Sequence, residues 1–322
     1  MRFACLLVAG FLLPPASVPN QAATGAQEPA RNLSRTVQVE PGIRIVVEGD
    51  DGLVRVVGGG RGTATIEVSV VARGADPVSR DRLLEAAEIG VTREGEVVVL
   101  RIAVPEQITG NIPRGAGGFP VATLETSWTV TIPVQNIIEV HTGRGRTELQ
   151  GTGAARLEST SGDLTARDLR GDLAAGSVSG NILVDGCNGN TDVNTVSGDI
   201  TIERAAGVVR ATCISGNILI RETLSGNVRV SNTGGSITYE GAVQTGGTYT
   251  LGSHSGNILF ITDGDVGFSA QLSTFSGSIF TPLDFTLTGS RTSRRSLAGY
   301  LGGSEASVTL TAYSGDLTIR RR

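Results

Sequence analysis

Apolar positions in the second half of the chain recur in a fixed relation to a polar turn. Ser161-Gly162-Asp163, Ser179-Gly180-Asn181, Ser197-Gly198-Asp199 and Ser215-Gly216-Asn217 stand 18 residues apart, and Ser255-Gly256-Asn257, Ser276-Gly277-Ser278 and Ser314-Gly315-Asp316 continue the series less regularly. Each turn is followed by an apolar residue, a variable residue and usually a second apolar one. Weaker turns at Gly171-Asp172, Gly189-Asn190, Gly207 and Ser225-Gly226-Asn227 halve the period. A half-period of about nine residues fits one short strand and one turn, the unit of a β-helical repeat. Glycine supplies the positive φ of such a turn, and Asp or Asn supports it through side-chain bonds.

Alternation across a strand assigns the faces. The first column after the turn reads Leu164, Ile182, Ile200, Ile218, Ile237, Ile258, Ile279, Leu317. The third position reads Ala166, Val184, Ile202, Ile220, Tyr239, Phe260, Thr281, Ile319. Both columns point inward. The opposite half-coil contributes Leu173, Thr191, Val209 and Val228, then Ala175, Val193, Ala211 and Val230. The pattern predicts an all-β, single-chain parallel β-solenoid, β-helix- or β-roll-like, of about 18-residue coils. Between the inward columns lies an outward one of Thr165, Leu183, Thr201, Leu219, Thr238, Leu259, Phe280 and Thr318. Its apolar members Leu183, Leu219, Leu259 and Phe280 form a candidate partner surface.

The first half has a different rhythm. Phe3 to Leu13 is an apolar run too short to span a bilayer, broken by Pro14-Pro15 and followed by small residues, so residues 1–26 read as a secretory signal peptide. Residues 27–138 form an N-terminal β region with a polar leader to about residue 35. Thr36 to Val47 alternates about Pro41-Gly42 and predicts a strand pair. Asp76-Pro77 opens a short covering helix over about 78–87, suited to capping an open end of the stack. Pro105 to Val121 reads as a loop. The coils proper run over 139–322, with an irregular excursion at about 282–312.

Composition adds little drive towards polyanions. Loss of the leader removes Arg2 and no acid, taking the net charge from −4 to −5, so nucleic acid is not an expected partner. No other stretch is long and apolar enough to span a membrane once the signal is removed. Cys187 and Cys213 fall on opposite walls, more than one rung apart, and are read as small buried residues.

Candidate chemistry is sparse. His141 lies on a strand and His254 at a turn, without a nucleophile elbow or a set of zinc ligands. The turns carry at most one carboxylate each, and Asp163, Asn181, Asp199 and Asn217 alternate charge, which is too little for a calcium roll. They read as a stacked Asp/Asn ladder. Arg291, Arg294 and Arg295 form a candidate anion-binding cluster. No catalytic residue, metal site or cofactor is expected.

Val39-Glu40-Pro41-Gly42, Gly52-Leu53-Val54-Arg55-Val56, the short helix, Thr131-Ile132-Pro133 and the run of Ser-Gly-Asp/Asn turns to Ser314-Gly315-Asp316-Leu317-Thr318-Ile319 occur in an order that resembles the bacterial DUF4097 family of adhesin-like β-strand-repeat proteins. The resemblance covers about residues 36–322. It implies an exported, envelope-associated β-solenoid, and related repeats occur beside envelope-stress sensing modules.

Together these features predict an exported, periplasmic or cell-surface protein. Its expected role is non-enzymatic: adhesin-like binding or scaffolding at the bacterial cell envelope, with an envelope protein or a polysaccharide as partner. The alternatives are a carbohydrate-active β-helix enzyme of polysaccharide lyase or hydrolase type, and a sensor or accessory subunit of an envelope-stress pathway. A charged constellation on one wall favours the enzyme. A polar wall with one exposed apolar strip favours binding.

Overall fold

The computed structural model describes residues 29–114, 122–263, 265–288 and 294–322. The expected signal peptide over 1–26, and Arg291, lie outside the described residues.

Strands that precede a Ser-Gly turn and strands that follow it build two walls. In the front wall, Leu173–Ser179 pairs in parallel with Ala155–Ser161 and with Thr191–Ser197. In the back wall, Ile182–Cys187 pairs in parallel with Leu164–Leu169 and with Ile200–Ala205. The alternation read from the sequence decides what each strand buries. Ile182, Ile200, Ile218, Ile237 and Ile258 of the back wall are buried, as are Ala175, Val193, Ala211 and Val230 of the front. Each fully buried isoleucine contributes about 1.5–3 kcal/mol of transfer free energy. Where the coils lengthen after Gly234, aromatic rings fill the wider interior. Tyr239 stacks on Phe260 with centroids 4.6 Å apart, and the Tyr249 ring meets Tyr239 edge-on.

Turn chemistry locks one coil to the next. Gly198 has φ +140°, and a Cβ there would lie 2.2 Å from the Gly180 carbonyl oxygen. The coils therefore approach too closely for any side chain at that point. Beside it runs the expected Asp/Asn ladder. Asp163 Oδ1 accepts from the Asn181 N–H at 3.0 Å, Asn181 Oδ1 from the Asp199 N–H at 2.9 Å, and Asp199 Oδ1 from the Asn217 N–H at 2.7 Å. Asp and Asn alternate because each supplies the side-chain oxygen that accepts from the next coil; Asn217 also donates from Nδ2 to Asp199 Oδ1 at 3.3 Å.

The stack continues into the first half of the chain. Arg44–Gly58 and Ile137–Gln150 are long strands that run through both walls, paired in parallel from Arg44↔Ile137 to Val57↔Gln150. Val97–Ala103 then extends the front wall and Ala122–Ile132 the back wall. Thr36–Val47 is not a strand pair. Ala30–Gln38 pairs antiparallel with Thr63–Gly74, whereas Arg44 onward pairs with Val97–Ala103 and Ile137–Gln150. The Pro41-Gly42 turn carries the chain from the back wall to the front instead of folding it on itself. Residues 30–35 of the polar leader belong to that first strand.

Helix Pro77–Ala86 links Thr63–Gly74 of the back wall to Glu88–Glu94 of the front, so it crosses this end of the stack. Asp76 caps it, accepting from the Ser79 N–H at 3.1 Å, and Leu83 and Leu84 are buried beneath it. The Arg31 guanidinium closes its other end, donating to the Leu84, Glu85 and Ala87 carbonyls at 3.1, 2.6 and 3.1 Å.

The far end departs from chain order. Ile258 is register-paired with Leu317, and Leu317 with Ile279. The last coil, Ala306–Ser314 with Leu317–Arg321, is thus inserted between Thr248–Thr262 and Phe268–Phe280. The excursion closes this end. Ser296–Leu301 pairs antiparallel with Phe268–Ser276, and Leu283, Phe285, Leu297 and Leu301 pack against the core.

Candidate functional site

The front wall presents three outward columns. One edge, immediately before the Ser-Gly turns, carries Thr160, Val178, Val196, Ile214, Thr233, His254, Tyr313 and Phe275 in stacking order, as the strand registers require. Val178, Ile214 and Tyr313 are about half exposed, at 53%, 50% and 52%, and Phe275 reaches 65%. The rings of His254 and Phe275 each stack on Tyr313 with centroids 4.9 Å apart and planes 8° from parallel. An aliphatic ribbon and, beyond Thr233, an aromatic ladder thus run along one edge of a solvent-facing wall. Beside it, Gly176, Asn194, Thr212, Ser231 and Gly252 keep the central column low, and a shallow groove results near each end.

Beneath the ribbon some side chains of an inward column bond to the turns, whereas the hydroxyls of Ser159, Ser177 and Ser253 in that column have no partner among the described residues. Thr195 Oγ1 and Cys213 Sγ donate to the Gly180 and Gly198 carbonyls, each at 3.5 Å, and Asn232 Nδ2 donates to the Gly216 carbonyl at 2.8 Å. Cys213 therefore occupies a hydroxyl position in a structural ladder. Cys187 stands in register with Leu169 and Ala205 on the other wall. Both thiols are free and buried, and burial pushes both above the ordinary thiol value.

The N-terminal end of the wall holds the main charged constellation. His141 Nε2 lies 3.0 Å from Glu139 Oε1, and His141 Nδ1 lies 3.2 Å from Glu158 Oε2. The Arg156 guanidinium donates to Glu158 and lies 3.8 Å from Glu139. Hydrogen bonding from Arg156 is the main reason the Glu158 carboxyl is held below the usual glutamate range. A raised value is the mark of a carboxyl general acid, and the Glu158 shift runs the other way, as expected of a carboxylate braced by a guanidinium. Among the described residues no group of three or more His, Cys, Asp or Glu side chains could hold a metal ion.

The sequence-predicted surface sits on the back wall. Leu183, Leu219 and Leu259 fall in one register column with Thr165, Thr201, Thr238 and Thr318, and Phe280 ends it beside Thr318. The leucines are half-buried, and Phe280 is exposed. Of the basic cluster, Arg294 and Arg295 are exposed. Their carbonyls accept from the Ile279 and Thr274 N–H groups, both at 2.9 Å. The turn that carries them therefore abuts the end of the aromatic ladder. The front ribbon escaped the sequence reading although its signal was present, as the residue just before each Ser-Gly turn.

Fold and wall together define a two-walled parallel β-solenoid with an exposed apolar strip on a polar face. The family profile described as Toastrack DUF4097 matches residues 135–222 and 209–320, more than half of the chain. The chain belongs to the DUF4097 family. Among solved structures, it is similar to a candidate cell adhesion protein from Clostridium sporogenes, at 12% identity and TM-score 0.27, over 91% of this chain and 100% of that one. It is also similar to a candidate lipid-binding protein from Parabacteroides distasonis, at 12% identity and TM-score 0.46, over 90% and 96%. A candidate adhesin from Bacteroides fragilis aligns at 15% identity and TM-score 0.40, over 91% and 97%. No curated protein sequence matches the chain.

Proposed function

We propose that this protein is an exported, adhesin-like binding or scaffolding protein of the bacterial cell envelope, and that the front wall is its contact face. One observation carries the reading: Val178, Val196 and Ile214, and beyond Thr233 the His254, Tyr313 and Phe275 rings, stand exposed in one register column bordered by polar residues. Contiguous apolar strips of this kind mark interaction surfaces. Main-chain groups of wall strands are used within the stack, so recognition runs through side chains. The leader-like segment over 1–26 supports export. Among the described residues no helix is long and apolar enough to cross a membrane. The Leu183, Leu219, Leu259 and Phe280 row is the lesser candidate surface, because its leucines are half-buried.

The test compares two variants for binding to isolated cell envelopes, with folding checked by circular dichroism. Val196→Thr combined with Ile214→Thr should fold and lose most envelope binding. Leu183→Thr combined with Leu219→Thr should keep it. The reverse ranking moves the contact face to the back wall, and equal retention by both removes these apolar strips from the function.

A further inference from the structure

The front wall is polarised along its length. Glu48, Asp50 and Glu158 line the groove at its N-terminal end. Arg210 and Arg229 are register partners further along, both exposed. Arg156, Arg204 and Arg221 all have carboxylates within 4.0 Å, whereas Arg210 and Arg229 have none among the described residues. Asp192 precedes Arg210 in the same column without forming an ion pair with it. Two like charges on adjacent rungs repel each other at a strand spacing of about 4.8 Å. An anion laid across both relieves that repulsion. At the far end, Arg294 and Arg295 lie on a turn whose carbonyls accept from the Ile279 and Thr274 N–H groups.

Between the Arg210–Arg229 column and the ribbon lie Thr212, Ser231, Gly252, Thr311 and Ser273, small and mostly hydroxylated. The trough thus has a hydrogen-bonding floor, an apolar aromatic rim and, at its middle, the Arg210 and Arg229 guanidinium groups with no carboxylate within 4.0 Å among the described residues. We propose that the wall from Arg210 to Phe275 binds a carboxylated polysaccharide, a uronic acid polymer, laid along the solenoid axis. This ligand assignment rests on the front wall being the contact face.

Each chemical demand of such a polymer meets a counterpart. Guanidinium groups take carboxylates in paired hydrogen bonds. Serine and threonine hydroxyls exchange hydrogen bonds with sugar hydroxyls. The C–H faces of the sugar lie against Ile214, Tyr313 and Phe275. The rung spacing of about 4.8 Å is comparable to one sugar unit, so a repeating chain meets a similar environment at successive rungs. An extended peptide fits less well. Peptides bind sheets by adding to a free strand edge, and along this wall the strand edges are already paired to their neighbours.

The test is titration calorimetry on the full chain with oligogalacturonate and, in parallel, a neutral gluco-oligosaccharide of equal length. Oligogalacturonate should bind, with affinity that falls as salt is raised. Arg210→Gln combined with Arg229→Gln should weaken it at least about tenfold, the loss of one charge-assisted bond. Tyr313→Ala should also weaken it, and Leu183→Thr with Leu219→Thr should not. Equal binding of the neutral oligomer overturns the proposal, as does an unchanged affinity in the double arginine variant. If neither oligosaccharide binds while the Val196/Ile214 variant still loses envelope binding, the ligand class is wrong and the contact face stands.

Discussion

Asp316 donates its backbone N–H to Asn257 Oδ1 at 2.9 Å, although 59 positions of sequence separate them. The same side-chain ladder that joins consecutive coils elsewhere here joins the last coil to one two turns earlier. Asp316 in turn accepts from the Ser278 N–H at 2.8 Å. The final coil is internal, and the coil of Phe268–Phe280 is terminal.

That order has a measurable consequence. Leu317 is fully buried between two coils, whereas Ile279 is only half-buried at the end. Leu317→Ala should cost about 2–5 kcal/mol in urea unfolding. Ile279→Ala should cost clearly less. Stacking in chain order demands the opposite ranking.

The turn glycines separate steric crowding from backbone conformation. Gly198→Ala forces a Cβ into the Gly180 carbonyl, and at φ +140° it should cost at least about 3 kcal/mol. Gly246 also has a positive φ, +74°, but nothing lies within 4 Å of its would-be Cβ. Gly246→Ala should cost only about 1–2 kcal/mol, the left-handed penalty alone. Similar melting temperatures for the two variants would remove crowding from the explanation.

The Asp/Asn ladder needs an acceptor oxygen and not a charge. Asp199→Asn should therefore leave stability within about 0.5 kcal/mol of wild type, whereas Asp199→Ala should lose about 1 kcal/mol. A large penalty for the asparagine variant, read from denaturant midpoints, would show that the charge itself matters.

Glu158 predicts an acid limb of stability. Its carboxyl is held below the ordinary value of 4.5, first by the Arg156 hydrogen bond. A depressed folded value means the contribution is complete above 4.5 and is lost as pH falls through the folded value. The side chain is 44% exposed, so solvent screening keeps the effect under about 1 kcal/mol. Glu158→Gln should flatten the decline in urea midpoint between neutral and strongly acidic pH. An unchanged slope places that decline in other groups.

Cys213 substitutes for a hydroxyl, because Thr195 and Ser177 precede it in the column. Cys213→Thr should change stability by less than about 1 kcal/mol. In the native protein neither Cys187 nor Cys213 should react with a thiol reagent, since burial suppresses the thiolate. Mass mapping of the modified cysteines before and after unfolding reads this directly, and rapid native labelling of either refutes it.

Much of the coil was legible in the sequence because its causes are local. The residues on either side of each Ser-Gly turn set its conformation, and alternation from Ile182 to Val184 or Ile200 to Ile202 sets the buried face within a few positions. The leucine–threonine column of the back wall followed from the same counting. The tertiary structure alone decided which coil neighbours which. Ile258, Ile279 and Leu317 present equivalent strands, and choosing among them depends on how the excursion and the terminal coil pack. Equally, Pro41-Gly42 marks a turn whether the chain pairs with itself or crosses between walls. The bonding of the Arg294 and Arg295 carbonyls to the Ile279 and Thr274 N–H groups likewise depends on how the excursion packs. A periodic sequence specifies the strand and its inward face, but near-identical edges leave their order to long-range packing, and the composition of the outer wall depends on that order.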